Sequence, residues 1–245
     1  MRSQHRPLMI RCTLPLLFIG LSVLHAEERV FIDDGRSDYE IVCESGANAA
    51  TTYAAGELRH WVKESTGITL PLVATPTQGR AHLFVGPNDS SSKAGIRAEG
   101  LKPEGFHLRT VGDDVHLVGV DVQRGSLEPR RVSATQTGSL SAVHEFLGRV
   151  LGIRFLWHDK LGTILPKQAR IVIPDLEIES APVWRYRWLA YSPEGKCGED
   201  LFARRLGLGH SHTVTHVHAW HQIAPVEQYG TEHPEWFAEI DGVRK

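Results

Sequence analysis

Histidine crowds one stretch of the chain: His210, His212, His216, His218, His221 and His233. The first four share parity, so on an extended strand their side chains would point the same way. Two His-x-His pairs of neutral imidazoles could hold zinc, with His212, His216 and His218 as the ligands of a zinc hydrolase. A catalytic zinc also needs an open coordination position, and no His-Glu-x-x-His helix is present. The other reading is a loop whose histidines hydrogen-bond to backbone or substrate. On that reading no metal and no other cofactor is expected, and His212 and His216 are candidate substrate-binding residues.

Aromatic residues gather in the same part of the chain: Trp184, Trp188, Tyr191, Trp220 and Trp236. Sugar rings present apolar C–H faces on which indoles stack, while nearby polar groups fix the hydroxyls. Trp220 is therefore a candidate substrate contact, and Trp184, Trp188 and Trp220 could form a binding platform. Alternatively these rings fill a core. The carboxylates in reach are Glu194, Glu199, Asp200, Glu227, Glu232, Glu235, Glu239 and Asp241. Glycoside hydrolysis needs two carboxyl groups roughly 5–10 Å apart. Spacing selects no pair, although Glu235 and Glu239 at i, i+4 would share a helix face. No catalytic residue is assigned. Gly207-Leu208-Gly209 lacks the strand–turn–helix context of a dinucleotide site, and neither a Gly-x-Ser-x-Gly elbow nor a P-loop is present. Asn88-Asp89-Ser90 has the letters of a glycosylation sequon.

These residues belong to a chain of 245 with a globular composition, 41% hydrophobic and 23% charged. Basic and acidic residues nearly balance, 27 against 29, without a long Lys/Arg block, so nucleic-acid binding is not expected. Three cysteines are too few for a disulfide scaffold. Residues 1–26 read as a signal peptide: Arg2, Arg6 and Arg11 precede the apolar run Leu14–Leu24, and Ala26 offers a small residue for cleavage. The run is short for a membrane span, which takes roughly 20 apolar residues, and no later segment is apolar enough. A secreted or periplasmic protein is expected. There Cys43 and Cys197 would be either two thiols or a disulfide.

The elements that must position these residues follow from periodicity. Residues 29–33, 39–43, 70–73 and 81–85 read as strands. Asn48 offers an N-cap, Ala54, Leu58, Trp61 and Val62 recur on one helical face, and Gly67 closes the helix. Residues 105–120 form a hairpin around Gly112-Asp113-Asp114. Leu140, Val143, Leu147, Val150 and Leu151 make a second amphipathic helix ending at Gly152. Strands follow at 153–157, 163–165, 171–173 and 176–178. Two helices with one apolar stripe each should lie on one face of a mixed or antiparallel sheet, an α+β domain over residues 27–180. After Pro182 come a strand with Trp184, Tyr186 and Trp188 on one face and Arg185 and Arg187 on the other, a short helix at 199–206, and a helix at 233–240. The Asp241-Gly242 turn is followed by only three residues.

The stretches TTYAAGELRHWVKESTGITLPLV, HLFVGP, GFHLRTVGDDVHLVGVD, GSLSAVHEFLGRVLGIRFL and APVWRYRW resemble the N-terminal domain of α-glucuronidases and equally the second domain of bacterial β-N-acetylhexosaminidases. The ending EHPEWFAEIDGVRK is similar to the early barrel region of secreted bacterial proteins with a DUF4838 domain. The resemblance implies a carbohydrate-active protein of glycoside-hydrolase type. In it this α+β domain precedes a (β/α)₈ barrel, and residues 181–245 are the first elements of an incomplete barrel. It implies an oligo- or polysaccharide partner. It makes Arg187 the best substrate contact, its guanidinium pairing with a sugar diol or a uronate carboxylate, a structural salt bridge being the alternative. It also places the catalytic carboxylates beyond the first barrel strands, outside this chain. A non-catalytic carbohydrate-binding module is the rival reading.

Overall fold

The computed structural model describes residues 28–122, 136–157, 160–187, 198–210 and 218–244. Its first part runs β1 (Arg29–Asp33), β2 (Tyr39–Val42), α1 (Ala49–Thr66), β3 (Leu72–Val73), β4 (Ala81–Val85), α2 (Asp89–Lys93), β5 (Phe106–Val111), β6 (Asp114–Gly119) and β7 (Asp121–Val122). It continues with β8 (Gln136–Thr137), α3 (Gly138–Val150), β9 (Arg154–Phe155), β10 (Thr163–Ile164), β11 (Arg170–Ile173) and β12 (Glu177–Ser180).

Six strands form one mixed sheet in the order β12-β5-β6-β4-β2-β3. Strands β3, β2, β4 and β6 pair in parallel, and β5 and β12 add antiparallel edges. Strand alternation divides its side chains. Ile41, Leu83, Val85, Leu108, Val115 and Leu117 join one buried core with α1 and α3, while Glu40, His82, Phe84, His116 and Val118 take the other parity. Both amphipathic helices thus cover one face of a mixed α+β sheet, as their stripes require. Strands β1 and β11 form a separate antiparallel pair that contributes Phe31, Ile32, Ile171 and Ile173 to the same core. Phe31 meets Tyr39 and Phe146 edge to face, with centroids 5.2 and 5.8 Å apart.

Local chemistry explains the long helix. The Asn48 side chain accepts from the Thr51 N–H at 3.0 Å, and Ala54, Leu58 and Val62 face the core. Gly67 at φ +79° donates back to the Lys63 carbonyl. Helix α3 starts against the end of β6: a Cβ on Gly119 would lie 2.1 Å from the Gly138 carbonyl carbon, so only glycine permits the approach. The letters Asn88-Asp89-Ser90 prove to be the start of α2. Asn88 is buried, its amide nitrogen donates to the Gly86 carbonyl at 2.8 Å, and its oxygen caps Ser91 N–H.

Beyond Pro182 the chain differs from expectation. Its elements are β13 (Tyr186–Arg187), α4 (Gly198–Arg205), β14 (Gly209–His210), α5 (Trp220–Ile223), α6 (Val226–Tyr229), a 3₁₀ turn (Pro234–Trp236), β15 (Glu239–Ile240) and β16 (Val243–Arg244). Strands β13 and β14 pair antiparallel over two residues, whereas barrel staves run parallel. After α4, Gly207 at φ +69° and Gly209 at φ +142° turn the chain back along β13. These short elements are what the described residues show after Pro182. The helix expected at 233–240 is also absent. Asp241 at φ +52° and Gly242 at φ +74° make a tight primed turn joining β15 to β16, and that pairing replaces the helix's second half. Glu235 and Glu239 consequently share no helix face.

Candidate functional site

The aromatic residues near the chain's end make an open apolar hollow. Trp220, Ile223, Ala224, Tyr229 and Trp236 line a space of about 450 Å³. Ala219, Ala224 and Phe237 are buried and anchor the segment, which leaves Trp220 58% and Trp236 46% exposed. The rings are ordered against one another. Tyr229 and Trp236 lie 5.5 Å apart, and His233 stacks on Trp236 at 4.1 Å with the planes 4° from parallel. Glu235 Oε1 sits 3.2 Å from His233 Nδ1 and fixes that imidazole. Two indoles and a phenol around one concavity can stack on an apolar ring face and hydrogen-bond at its rim through Tyr Oη and Trp Nε1. Among the described residues no carboxylate lines the hollow. Glu227, Glu232, Glu235, Glu239 and Asp241 are all exposed. Glu199 and Asp200 lie on α4, and Glu194 falls outside the described residues.

Arg187 stands elsewhere, at the join between β13 and the α+β domain. Its Nη2 donates to Glu104 Oε2 at 2.9 Å, Nε to the Gly207 carbonyl at 2.7 Å and Nη1 to the Trp184 carbonyl at 2.6 Å. Arg204 Nη1 lies 3.5 Å from Glu104 Oε1. Glu104 itself is buried, at φ +60°, and its backbone N–H donates to Gln136 Oε1. Beside this pair runs a hollow of about 380 Å³ whose walls include Ser141, His144, Arg187 and Arg204. The structure thus gives Arg187 the bonds of a structural salt bridge, and its two remaining N–H groups are its only spare donors.

A second buried carboxylate was not singled out from the sequence. Glu57 on α1 receives Arg205 of α4 in a fork, Nη2 to Oε1 at 2.9 Å and Nε to Oε2 at 3.0 Å. Tyr53 Oη and Trp61 Nε1 donate to it at 3.1 and 3.0 Å, and His144 Nε2 of α3 stands 3.5 Å away. The Arg205 guanidinium lies 5.0 Å from the Trp61 ring and from the Phe155 ring. Burial by itself would raise the Glu57 carboxyl. Hydrogen bonds and charge from His144 and Arg205 outweigh it and hold the group well below the ordinary carboxylate range. Burial also pushes the Tyr53 hydroxyl up, with Glu57 adding to the effect. The helical spacing of Tyr53, Glu57 and Trp61 was the sequence's one signal of this cluster.

Among the expected ligands, Trp220 lines the aromatic hollow, while Trp184, 74% exposed, lines a different one. Trp236 and Tyr229 stand beside Trp220 instead. His212, His216, Trp188, Tyr191 and Cys197 lie outside the described residues, so neither the His-x-His array nor a Cys43–Cys197 pair is seen. His218 is exposed at φ +53°. Among the described residues no three His, Cys, Asp or Glu side chains come together as a metal site, and no helix is long and apolar enough to cross a membrane.

No family model and no curated protein matches the chain. Among solved structures it is similar to the GH20 beta-N-acetylhexosaminidase from Streptomyces coelicolor A3(2), with 12% identity and a TM-score of 0.39 over 64% of this chain and 24% of that one. The chain spans about a quarter of that protein's length.

Proposed function

We propose that this chain is the saccharide-holding part of a secreted carbohydrate-active protein of glycoside-hydrolase type. Residues 1–26 would direct export, residues 27–180 form the accessory α+β domain, and residues 181–245 carry the sugar contact. One observation carries the reading: the hollow built by Trp220, Tyr229 and Trp236. The Trp236 ring is held in place before any ligand arrives, by Tyr229 beside it and by His233, itself tied to Glu235, and a preorganised ring loses little freedom on binding. The open, apolar form of the hollow suits the flat C–H face of a pyranose.

The test is titration of intrinsic tryptophan fluorescence with neutral oligosaccharides of the cello-, xylo- and chito- series. We expect saturable quenching. Trp236→Ala and Trp220→Ala should each weaken binding about tenfold, the loss of roughly 1.4 kcal/mol of ring contact, with unchanged far-ultraviolet circular dichroism. If no series produces a saturable change, or both variants bind like the parent, the reading is wrong.

A further inference from the structure

Helix α4 is seated on the helix layer through Glu57, and Glu57 has no acceptor capacity left. An ionised carboxylate offers about four lone-pair positions. Oε1 takes Tyr53 and Arg205 Nη2, and Oε2 takes Trp61 and Arg205 Nε. His144 comes fifth. Its side chain is only 9% exposed, and its Nε2 stands 3.5 Å from Oε2, a longer and weaker contact than the four that fill the carboxylate. A neutral imidazole can be tolerated there. A protonated one competes with Arg205 for the four lone-pair positions, and a second buried cation beside one carboxylate carries a desolvation cost.

We infer that the Glu57 site is proton-sensitive: when His144 takes a proton it competes with Arg205 for the carboxylate, and the hold of α4 on the helix layer loosens while Arg204 stays at Glu104. The proton comes from solvent and no bond other than hydrogen bonds changes. Charged groups face His144 from several elements, with Glu104, Arg187 and Arg204 sharing the walls of the hollow of about 380 Å³ beside it. Glu57 faces it from α1, and the Arg205 side chain and Arg204 backbone from α4. Phe155 lies beside the ring at 5.8 Å. Glu145, on α3 itself, is tied to Arg149 at 2.5 Å, and Arg154 lines the adjoining hollow.

Titration runs in the direction the geometry requires. Burial lowers the His144 pKa while α4 is docked, Glu57 opposing and Arg205 assisting. With α4 undocked the ring loses that burial and keeps Glu57 beside it, so its pKa rises to at least the ordinary value near 6.5. The undocked state therefore binds the extra proton, and docking weakens as pH falls below about 6.5. The Glu57 carboxyl adds to the loss only at pH below the ordinary carboxylate value near 4.3.

Hydrogen–deuterium exchange on the full chain tests this, at pH 7.5 and 5.5 with exchange times matched for intrinsic rate. Protection of residues 198–208 should fall about tenfold at the lower pH, since one proton changes the docking constant by at most tenfold per pH unit. Protection of 138–150 should hold. His144→Phe, or His144→Gln should the first variant misfold, should remove the pH dependence. Glu57→Gln should lower the protection of 198–208 to the same extent at both values. His116 is also buried with a lowered pKa, but its effect would survive in the His144 variants. Equal protection of 198–208 at both pH values in the parent overturns the inference, as does a pH dependence that persists without the imidazole.

Discussion

Asp121 joins the starts of both long helices through one side chain. Its Oδ1 accepts from the Ser139 N–H at 2.9 Å, in the first turn of α3, and its Oδ2 from the Thr51 hydroxyl at 2.7 Å, in the first turn of α1. The Asn48 amide reaches its backbone carbonyl at 3.4 Å. Both helix dipoles present their positive ends to this carboxylate. Burial nevertheless raises its pKa, with Thr51 and Ser139 pulling against the rise. An aspartate so placed serves the frame rather than a ligand. Asp121→Ala leaves the Ser139 N–H unmatched and the Thr51 hydroxyl with only its longer bond to Asn48 at 3.2 Å, and should cost about 2 kcal/mol, read as a lower midpoint in urea unfolding at constant slope. Asp121→Asn keeps an acceptor for one donor and should cost about half as much. A loss under 1 kcal/mol for the alanine variant would show that water replaces the carboxylate at both helix starts.

Elements whose evidence lies within one turn were legible in the sequence. Asn48, the Ala54–Leu58–Val62 stripe and Gly67 give α1 its two ends and its buried face, and the structure uses each in that role. Helix α2 escaped because five residues carry no apolar stripe, so its capping Asn88 resembled a glycosylation signal. The 233–240 segment misled in the opposite direction. Trp236, Phe237 and Ile240 have helical spacing, but the pairing of Glu239–Ile240 with Val243–Arg244 decides the conformation, and only the Asp241-Gly242 turn announced it. Trp220 was singled out, whereas Tyr229 was not, because nothing in spacing says that α6 turns its ring toward Trp236. The Glu57–Arg205 fork spans 148 positions and leaves no local trace. The hairpin itself is testable. Gly242→Ala forces a Cβ onto a residue at φ +74°, which costs about 1 kcal/mol. Amide protection of 239–244 should drop several-fold by exchange measurements while the melting temperature stays put. A shift of the global transition would mean that this hairpin is integral to the folding unit.

For the whole molecule, β13 and α4 are held to the α+β domain at two buried carboxylates. Glu57 takes Arg205, and Glu104 takes Arg187 with Arg204. Each carboxylate is nearly inaccessible, so removing one strands a cation in a site of low polarizability, at a cost of about 3–5 kcal/mol. The backbone of Glu104 is held at φ +60°, a conformation disfavoured for a residue with a side chain. The three ligating arginines sit within twenty residues of chain, and Arg204 and Arg205 are neighbours on one helix turn. Loss of one anchor therefore leaves the other at high effective concentration. Two neutral variants separate the anchors from simple destabilisation. Glu57→Gln and Glu104→Gln should each raise the rate of limited proteolysis between residues 180 and 210 by no more than tenfold. Together they should raise it well beyond the product of the two single effects, because only the double variant frees the segment. The core fragment 28–180 should stay intact throughout, since its strands and helices close on their own apolar interior. Strictly multiplicative rates would mean that the two carboxylates hold independent pieces, and the picture of one doubly anchored segment would then be wrong.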